Sequence, residues 1–571
     1  MNRYVRIVAI VVAGIGSLSI VTWLLRQPQL AYANPATYYV RANATGDCRD
    51  AATPCGSIRQ ALTLATLPGD VVRVATGVYT ENIGLFYGIQ LEGGWDETFT
   101  NWDPVVYSTV VDGNGEHILT ATVGIGAAQI SGFTFRNGRD GLHIYLGTIT
   151  VTENVVQDVR RQGVEIEAGR VFLANNTITN IAREGFEIDG GVVTLQANRI
   201  LTTGRHAIFV EGGTVHIEDN TIRYVTGSDY HGIEVSGTQH VISGNLIAHI
   251  GDRGIHAHNG SATIVGNTIS DTGGDGIRVG QTGQVTVRGN VVSATGNDGL
   301  DVRADMALIE GNRISNAGDR GINAEDGILT IRDNWIADTG GDGIRTSSSS
   351  QKVLIQGNTV QNADDDGVDA RGDDITIIGN RIEQNGDNGV KGEESGVISM
   401  DANWVLSNTV GVTVRGAERF TLTNNVIGDQ ITASIELTGT GEGYLIHNTL
   451  VGRGFGTPHH VTALIVEDPL TVTLSNNIIA SHTLGVQVHP SATLVVSNTL
   501  MWANGGGTLA LSGTLSLFGP PMFVDPRHQD YHLRSASPAV DAGRDTWVTH
   551  DVDGEPRPVG VAPDIGADEI A

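Results

Sequence analysis

Asparagine returns at a near-constant spacing through most of this 571-residue chain. The pattern Asn-x-Ile/Val/Leu begins at Asn154, Asn176, Asn198, Asn220, Asn245, Asn267, Asn290, Asn312, Asn334, Asn358, Asn380, Asn403, Asn425, Asn448, Asn477 and Asn498, mostly in steps of 22 or 23 residues. A period of that length marks a solenoid, in which each repeat is one supersecondary unit that buries its apolar face only against its neighbours. Length then says little about domain number, because a solenoid grows along one axis without enlarging its core.

One unit can be read from Gln284. Val285 and Val287 alternate with Thr286 and Arg288, and after Asn290 and the pair Val291-Val292 a glycine turn leads to a second alternation, Gly299-Leu300-Asp301-Val302. Alternation with period two is strand periodicity. The unit predicts an all-β coil of three short strands and three corners, each strand pairing in parallel with its copies above and below. The asparagine amide both donates and accepts, so stacked asparagines can satisfy one another at a corner. Asparagine also tolerates left-handed backbone, which places it in that conformation here as an expectation. A second signal, x-Gly-apolar-x-apolar, follows each asparagine by about nine residues from Gly141 to Gly411, with Ala207 in one coil, and reads as a glycine that permits a sharp corner.

These two phase-locked signals resemble the right-handed parallel β-helix repeats of the pectate-lyase-like superfamily, secreted bacterial type. The resemblance covers roughly residues 70–520 and implies a right-handed solenoid on the order of 75 Å long at one strand spacing per coil. Together with an N-terminal export pattern, the repeat divides the chain into a signal peptide (1–33), an N-terminal cap with first coils (34–135), the asparagine-ladder β-helix (136–519) and a C-terminal capping segment (520–571). Arg3 and Arg6, the apolar run Ile7–Leu25, Pro28 and Ala31-Tyr32-Ala33 form the export pattern, with a retained single-span anchor as the alternative. Export predicts a protein outside the cell or at its surface, monomeric and free of membrane after cleavage. It also predicts a disulfide between Cys48 and Cys55, the chain's two cysteines. Ser57 reads as the N-cap of a short helix with Ile58, Leu62 and Ala65 on one face.

A formal net charge of −28 excludes nucleic acid as a partner, since phosphates require a basic face. In enzymes of this fold the exposed sheet face commonly holds the site, so the resemblance directs attention to the strand after each glycine. Its outward column runs through His143, Glu165, Glu187, Phe209, Glu234, His256, Arg278, Asp301, Asn323, Arg345, Asp369, Lys391 and Thr413. Eliminative cleavage of a uronate polymer needs a cation to neutralise the carboxylate and a base for the α-proton. Arg278, Arg303, Arg345, Arg371 and Lys391 suit the cationic role, Asp298, Asp301, Asp366 and Asp369 suit either Ca²⁺ or an acid/base pair for hydrolysis, and His256 or His258 a proton carrier. Arg303, Arg371, Trp335 and Trp404 are candidate glycan-binding residues. Asp364, Asp365, Asp366 and Asp369 are the candidate Ca²⁺ ligands. Asp298, Arg320, Asp342 and Asp366 sit at the preceding corner, where alternation does not settle their direction. Against chemistry stands charge pairing: Arg278 over Asp301, and Arg345–Asp369–Lys391, are what a self-paired exposed ladder presents. Insertions at Ser228–Tyr230, Ser347–Ser350 and Arg453–His460 read as loop decoration, His459-His460 included. The expectation is an exported rod that binds extracellular or cell-surface polysaccharide without catalysis. The alternatives are a Ca²⁺-assisted lyase or epimerase of an acidic glycan and a structural spacer or adhesin.

Overall fold

The structure, a computed structural model, describes residues 34–237, 239–453, 461–505 and 517–570. The export pattern, and the insertion from residue 454 to His460 with its His459-His460 pair, lie outside the described residues. A representative coil consists of strands Val155–Val159, Val164–Ile166 and Arg170–Ala174, and the next of Thr177–Ile181, Phe186–Ile188 and Val192–Gln196. Each strand pairs in parallel with its counterpart one coil on: Val156 with Ile178, Glu165 with Glu187, Leu173 with Leu195. The result is an all-β parallel solenoid of about 19 turns. Within a strand the inward side chains are sealed, as Val164 and Ile166 are on either side of half-buried Glu165. Stacked coil on coil, these Val, Ile and Leu residues form one core running from Tyr38 to Met501. Each such side chain contributes about 1.5–3 kcal/mol through burial.

The α-helix Ile58–Leu64 closes the N-terminal end, with the Ser57 hydroxyl accepting the Gln60 N–H. Glu81, from the chain beneath, completes the cap by accepting the Ile58 and Arg59 N–H groups. Ile58, Ala61 and Ala65 face the core, and Cys48 and Cys55 are joined in a disulfide beside it.

Fifteen asparagines, Asn154 to Asn477, form a continuous buried ladder. The backbone N–H and Nδ2 of Asn290 both donate to Asn312 Oδ1 at 3.0 Å, and Nδ2 also reaches the Ile264 carbonyl at 3.0 Å. The arrangement repeats from Asn154 onto Asn176 through to Asn448 onto Asn477. Two expectations need correction. The left-handed residue is the one before the ladder asparagine: Asn175, Gly289 and Asp333 have φ near 60°, while no ladder asparagine does. The preceding residue makes the turn, which frees the asparagine to send its amide along the axis. Asn498 lies outside the ladder, because Leu500 pairs with Ile478 and so puts Thr499 in the slot. Asn498 is instead the left-handed residue before it, at φ 43°.

The C-terminal segment lies along the flank of the last coils. Its hairpin, Phe523–Asp525 with Asp530–Leu533, brings Phe523, Tyr531 and Leu533 onto Leu406, Val426, Val451 and Ile478, forming a second apolar core. Tyr531 donates to Asp429 at 2.9 Å, Asn424 to the His550 carbonyl at 3.0 Å, and Asn476 to the Arg544 carbonyl at 2.8 Å. A fully buried Arg557–Glu569 pair at 2.9 Å fastens the segment to itself. Among the described residues no helix is long and apolar enough to cross a membrane.

Candidate functional site

The glycine of each coil lets successive coils approach closely. A Cβ at Gly299 would lie 2.4 Å from Ile314 Cγ2 and 2.7 Å from the Gly321 carbonyl oxygen. None of these corner glycines from Gly141 to Gly411 has a positive φ, so space rather than left-handed backbone explains the residue type. The close stacking has a consequence for the column expected to face outward. His143, Asp301, Asn323, Asp369 and Thr413 are buried, because neighbours one strand spacing away cover them. The corner residues Asp298, Asp342 and Asp366 turn to the same side and are buried with them. From Arg278 to Lys391 the column therefore sets sunken Asp301 and Asp369 beside the less buried cations Arg278, Arg345 and Lys391.

In the stretch from Asp275 to Glu393 every cation of this face meets a carboxylate. Arg278 bridges Asp275 (3.6 Å) and Asp301 (3.4 Å), and Arg303 meets Glu325 at 3.0 Å. Arg320 contacts Asp298 (3.7 Å), Asp319 (3.2 Å) and Asp342 (3.8 Å). Arg345 lies between Asp342 (3.8 Å) and Asp369 (3.6 Å), while Arg371 donates to both oxygens of Asp369 at 3.2 and 3.0 Å. Lys391 reaches Asp366 at 3.6 Å and Glu393 at 3.5 Å. Burial pushes Asp298 up to about 7, against the opposing Arg320 N–H. Asp342 is pushed up to about 6 by burial and by the charges of Asp369 and Asp366. Arg320, Asn323, Glu325, Arg345 and Arg371, together with Ser347 and Ser348 of the insertion, line a cleft of about 250 Å³.

Five coils toward the N-terminus from that cleft, the same face carries a different arrangement. Glu234 is ringed by four imidazoles from three consecutive coils. Its Oε2 lies 3.2 Å from His206 Nε2 and 3.7 Å from His231 Nε2, and its Oε1 lies 3.2 Å from His258 Nε2 and 3.9 Å from His256 Nδ1. Burial lowers His206 to about 4, His231 to about 2 and His256 to about 3, so these rings are neutral at pH 7. Burial also raises Glu234, against the hydrogen bond from His258. His206 Nδ1 accepts the His231 N–H at 3.0 Å, which leaves its ring proton on Nε2, facing Glu234.

The residues singled out in the sequence thus fall into separate groups. Arg345, Asp369, Arg371 and Lys391 come together, as do Arg278, Asp301 and Arg303. His256 and Lys391 are six coils apart, about 29 Å at one strand spacing per coil, so they serve no common centre. Trp335 and Trp404 lie on the face after the ladder asparagine, away from Arg303 and Arg371. The Arg313 guanidinium stacks 3.6 Å above Trp335, and His532 of the C-terminal segment packs against Trp404. The aspartates proposed for Ca²⁺ also separate. Asp364 is exposed in its turn, Asp369 is held by two guanidiniums, and Asp365 and Asp366 instead meet Asp342 from the preceding coil. Asp366 already accepts two hydrogen bonds from Asn388 (2.7 and 3.0 Å) and faces the Lys391 ammonium. Asp342 and Asp366 are thus already faced by cations, and three carboxylates fall short of the six to eight oxygen ligands that Ca²⁺ takes. His206 and His231 were missed in the sequence. The signal for them is the position before each corner glycine, read as part of the face.

The family model described as a right handed beta helix region matches in overlapping segments, residues 116–269, 207–374, 275–427 and 324–468. Among solved structures, pectate lyase Pel9A is 12% identical over 95% of this chain and 98% of its own, with a TM-score of 0.19. The Azotobacter vinelandii mannuronan C-5 epimerase AlgE4 A-module is 15% identical over 74% and 99%, TM-score 0.25. The Dettilon tailspike protein is 14% identical over 72% and 68%, TM-score 0.27. Identities and scores this low carry no argument about activity. No curated protein matches the sequence. With the parallel three-strand coil, the asparagine ladder and a family model spanning more than half its length, the chain belongs to the right-handed parallel β-helix family.

Proposed function

We propose that this protein is an exported rod that binds an acidic extracellular polysaccharide along the glycine face, at the cleft around Arg345 and Arg371, without cleaving it. One observation carries the reading. The cations of this face are partly open to solvent while the acids that hold them are sunk beneath. The side chain of Arg345 is 34% exposed and that of its partner Asp369 3%. A chain of strong negative charge thereby offers guanidinium donors outward, in the planar geometry that suits a uronate carboxylate. Because each cation is already neutralised by a buried acid, it has hydrogen bonds to give but little free charge to stabilise a developing carbanion. The test is retention on immobilised pectate, alginate and glycosaminoglycans against neutral glucans. Arg345→Ala with Arg371→Ala should weaken retention at least about tenfold, as for the loss of two charge-assisted contacts. Equal retention by that double variant would move the glycan away from this cleft, and none by the wild type would leave a structural spacer as the reading.

A second reading, cleavage or epimerisation of the same glycan, draws on Asp298. A carboxyl titrating near neutrality beside Arg320 is suited to proton transfer. Ultraviolet absorbance from an unsaturated uronate, or a change in uronate epimer ratio, abolished by Asp298→Asn would favour it over simple binding.

A further inference from the structure

We propose that Glu234, His256 and His258 form a binding site for a transition-metal dication of the zinc class. Glu234 Oε1 lies 3.9 Å from His256 Nδ1 and 3.2 Å from His258 Nε2, and the three residues bring ligand atoms within 4.8 Å of one another. Rotation of the glutamate and imidazole side chains can close that triangle to the roughly 2 Å bonds that zinc makes to nitrogen and oxygen. Two nitrogens and one carboxylate oxygen suit zinc, copper or nickel, and do not suit Ca²⁺ or Mg²⁺, which take oxygen ligands.

Three features distinguish this trio from the other acidic and histidine groups. First, His256 Nδ1 is buried and has no hydrogen-bond partner, an unusual state for a polar atom and one that a bound cation relieves. Second, the far oxygen of Glu234 faces the His206 Nε2–H, which leaves Oε1 turned toward His256 and His258. His206 itself is excluded as a ligand, because its Nδ1 is engaged by the His231 N–H and its Nε2 carries the proton. Third, nearby cations are occupied elsewhere: Arg253 and Arg278 both bond Asp275 and leave Glu234 to the imidazoles. The remaining nitrogen of His258 meets the Asn259 amide at 2.9 Å, a group that can accept Nδ1–H by turning over. The three ligand side chains are 16–28% exposed, so an ion can enter from solvent and keep a coordination position open on the outer side.

The site goes beyond the glycan reading and stands or falls separately from it, since its test uses no glycan. The full chain, without a polyhistidine tag and stripped with a chelator, is titrated with ZnCl₂ by calorimetry and with CoCl₂ by visible absorption. The expected result is one zinc per chain and a cobalt spectrum of low coordination number. His258→Ala and Glu234→Gln should each weaken zinc binding at least about tenfold, with circular dichroism unchanged. Asp365→Asn and His532→Ala, which remove members of two other groups of potential ligands, should leave zinc affinity unaltered. Sub-stoichiometric zinc, unchanged affinity in both His258→Ala and Glu234→Gln, or loss of the ion in His532→Ala would overturn the assignment. Glu234→Gln keeps the shape of the side chain and decides the matter if a histidine variant fails to fold.

Discussion

The stretch around Glu234 and the stretch around Asp369 occupy one face and one strand register, yet they solve the burial of a carboxylate in opposite ways. Asp369 is covered by two permanent cations, Arg345 and Arg371. Glu234 is covered by imidazoles, and burial keeps three of them, His206, His231 and His256, uncharged. A solenoid supplies the same scaffold to each coil, so the difference is purely one of side-chain chemistry. In the arginine stretch the cations are fixed and only buried acids such as Asp298 and Asp342 titrate toward neutrality, whereas around Glu234 the rings themselves change charge as pH falls.

The largest effect should come from removing the acid beneath the arginines. Asp369→Ala leaves two guanidiniums without their shared partner and should cost roughly 3–5 kcal/mol, read as a lower urea midpoint. Glu234→Ala removes no partner from a permanent cation and should cost less than half as much. Equal losses would break the contrast.

Asp298 gives the next test. Its folded pKa, about 7, lies above the unfolded value near 4, so its contribution is fully present below pH 4 and is lost as pH rises through 7. Asp298→Asn should therefore raise the melting temperature at pH 8, by an equivalent of at most about 4 kcal/mol, and change it little at pH 4. The histidines run the other way. Their folded pKa values lie below the unfolded value near 6.5, so their contribution is present above pH 6.5 and is lost as pH falls toward 4. His256→Gln should remove about 2 kcal/mol of the acid destabilisation measured at pH 5, visible as a flatter melting profile. The smallest effect is expected at Arg303, which is 41% exposed and pairs with Glu325 at the edge of the face. Arg303→Ala should shift stability by less than about 1 kcal/mol, and less still in high salt.

The coil, its phase and its ladder were legible because they follow from a period, and a period survives in one dimension. What depended on the third dimension was not. Asp364, Asp365 and Asp366 are consecutive in the chain, but a turn points them apart. The neighbour that meets the last two, Asp342, comes from the coil before. His206 and His231 are 25 residues apart, an off-period step set by the Ser228–Tyr230 insertion, which disguised their common column. Alternation correctly separated Asp301 from the apolar core beneath it, yet could not reveal that stacked neighbours would bury it from above. Trp335 and Trp404 shared a phase with each other and with neither arginine proposed to work beside them.

The ladder also makes the molecule editable. From rung to rung its hydrogen bonds run one way, each asparagine donating to the next asparagine and accepting from the one before, so every rung is interchangeable with its neighbour. Excising residues 312–333 would place Gly311, already left-handed at φ 62°, directly before Asn334, and Asn290 would find there the acceptor it loses at Asn312. Such a chain should refold as a shorter rod with every remaining rung engaged. Cutting out half that length should instead leave both broken ends without a mate.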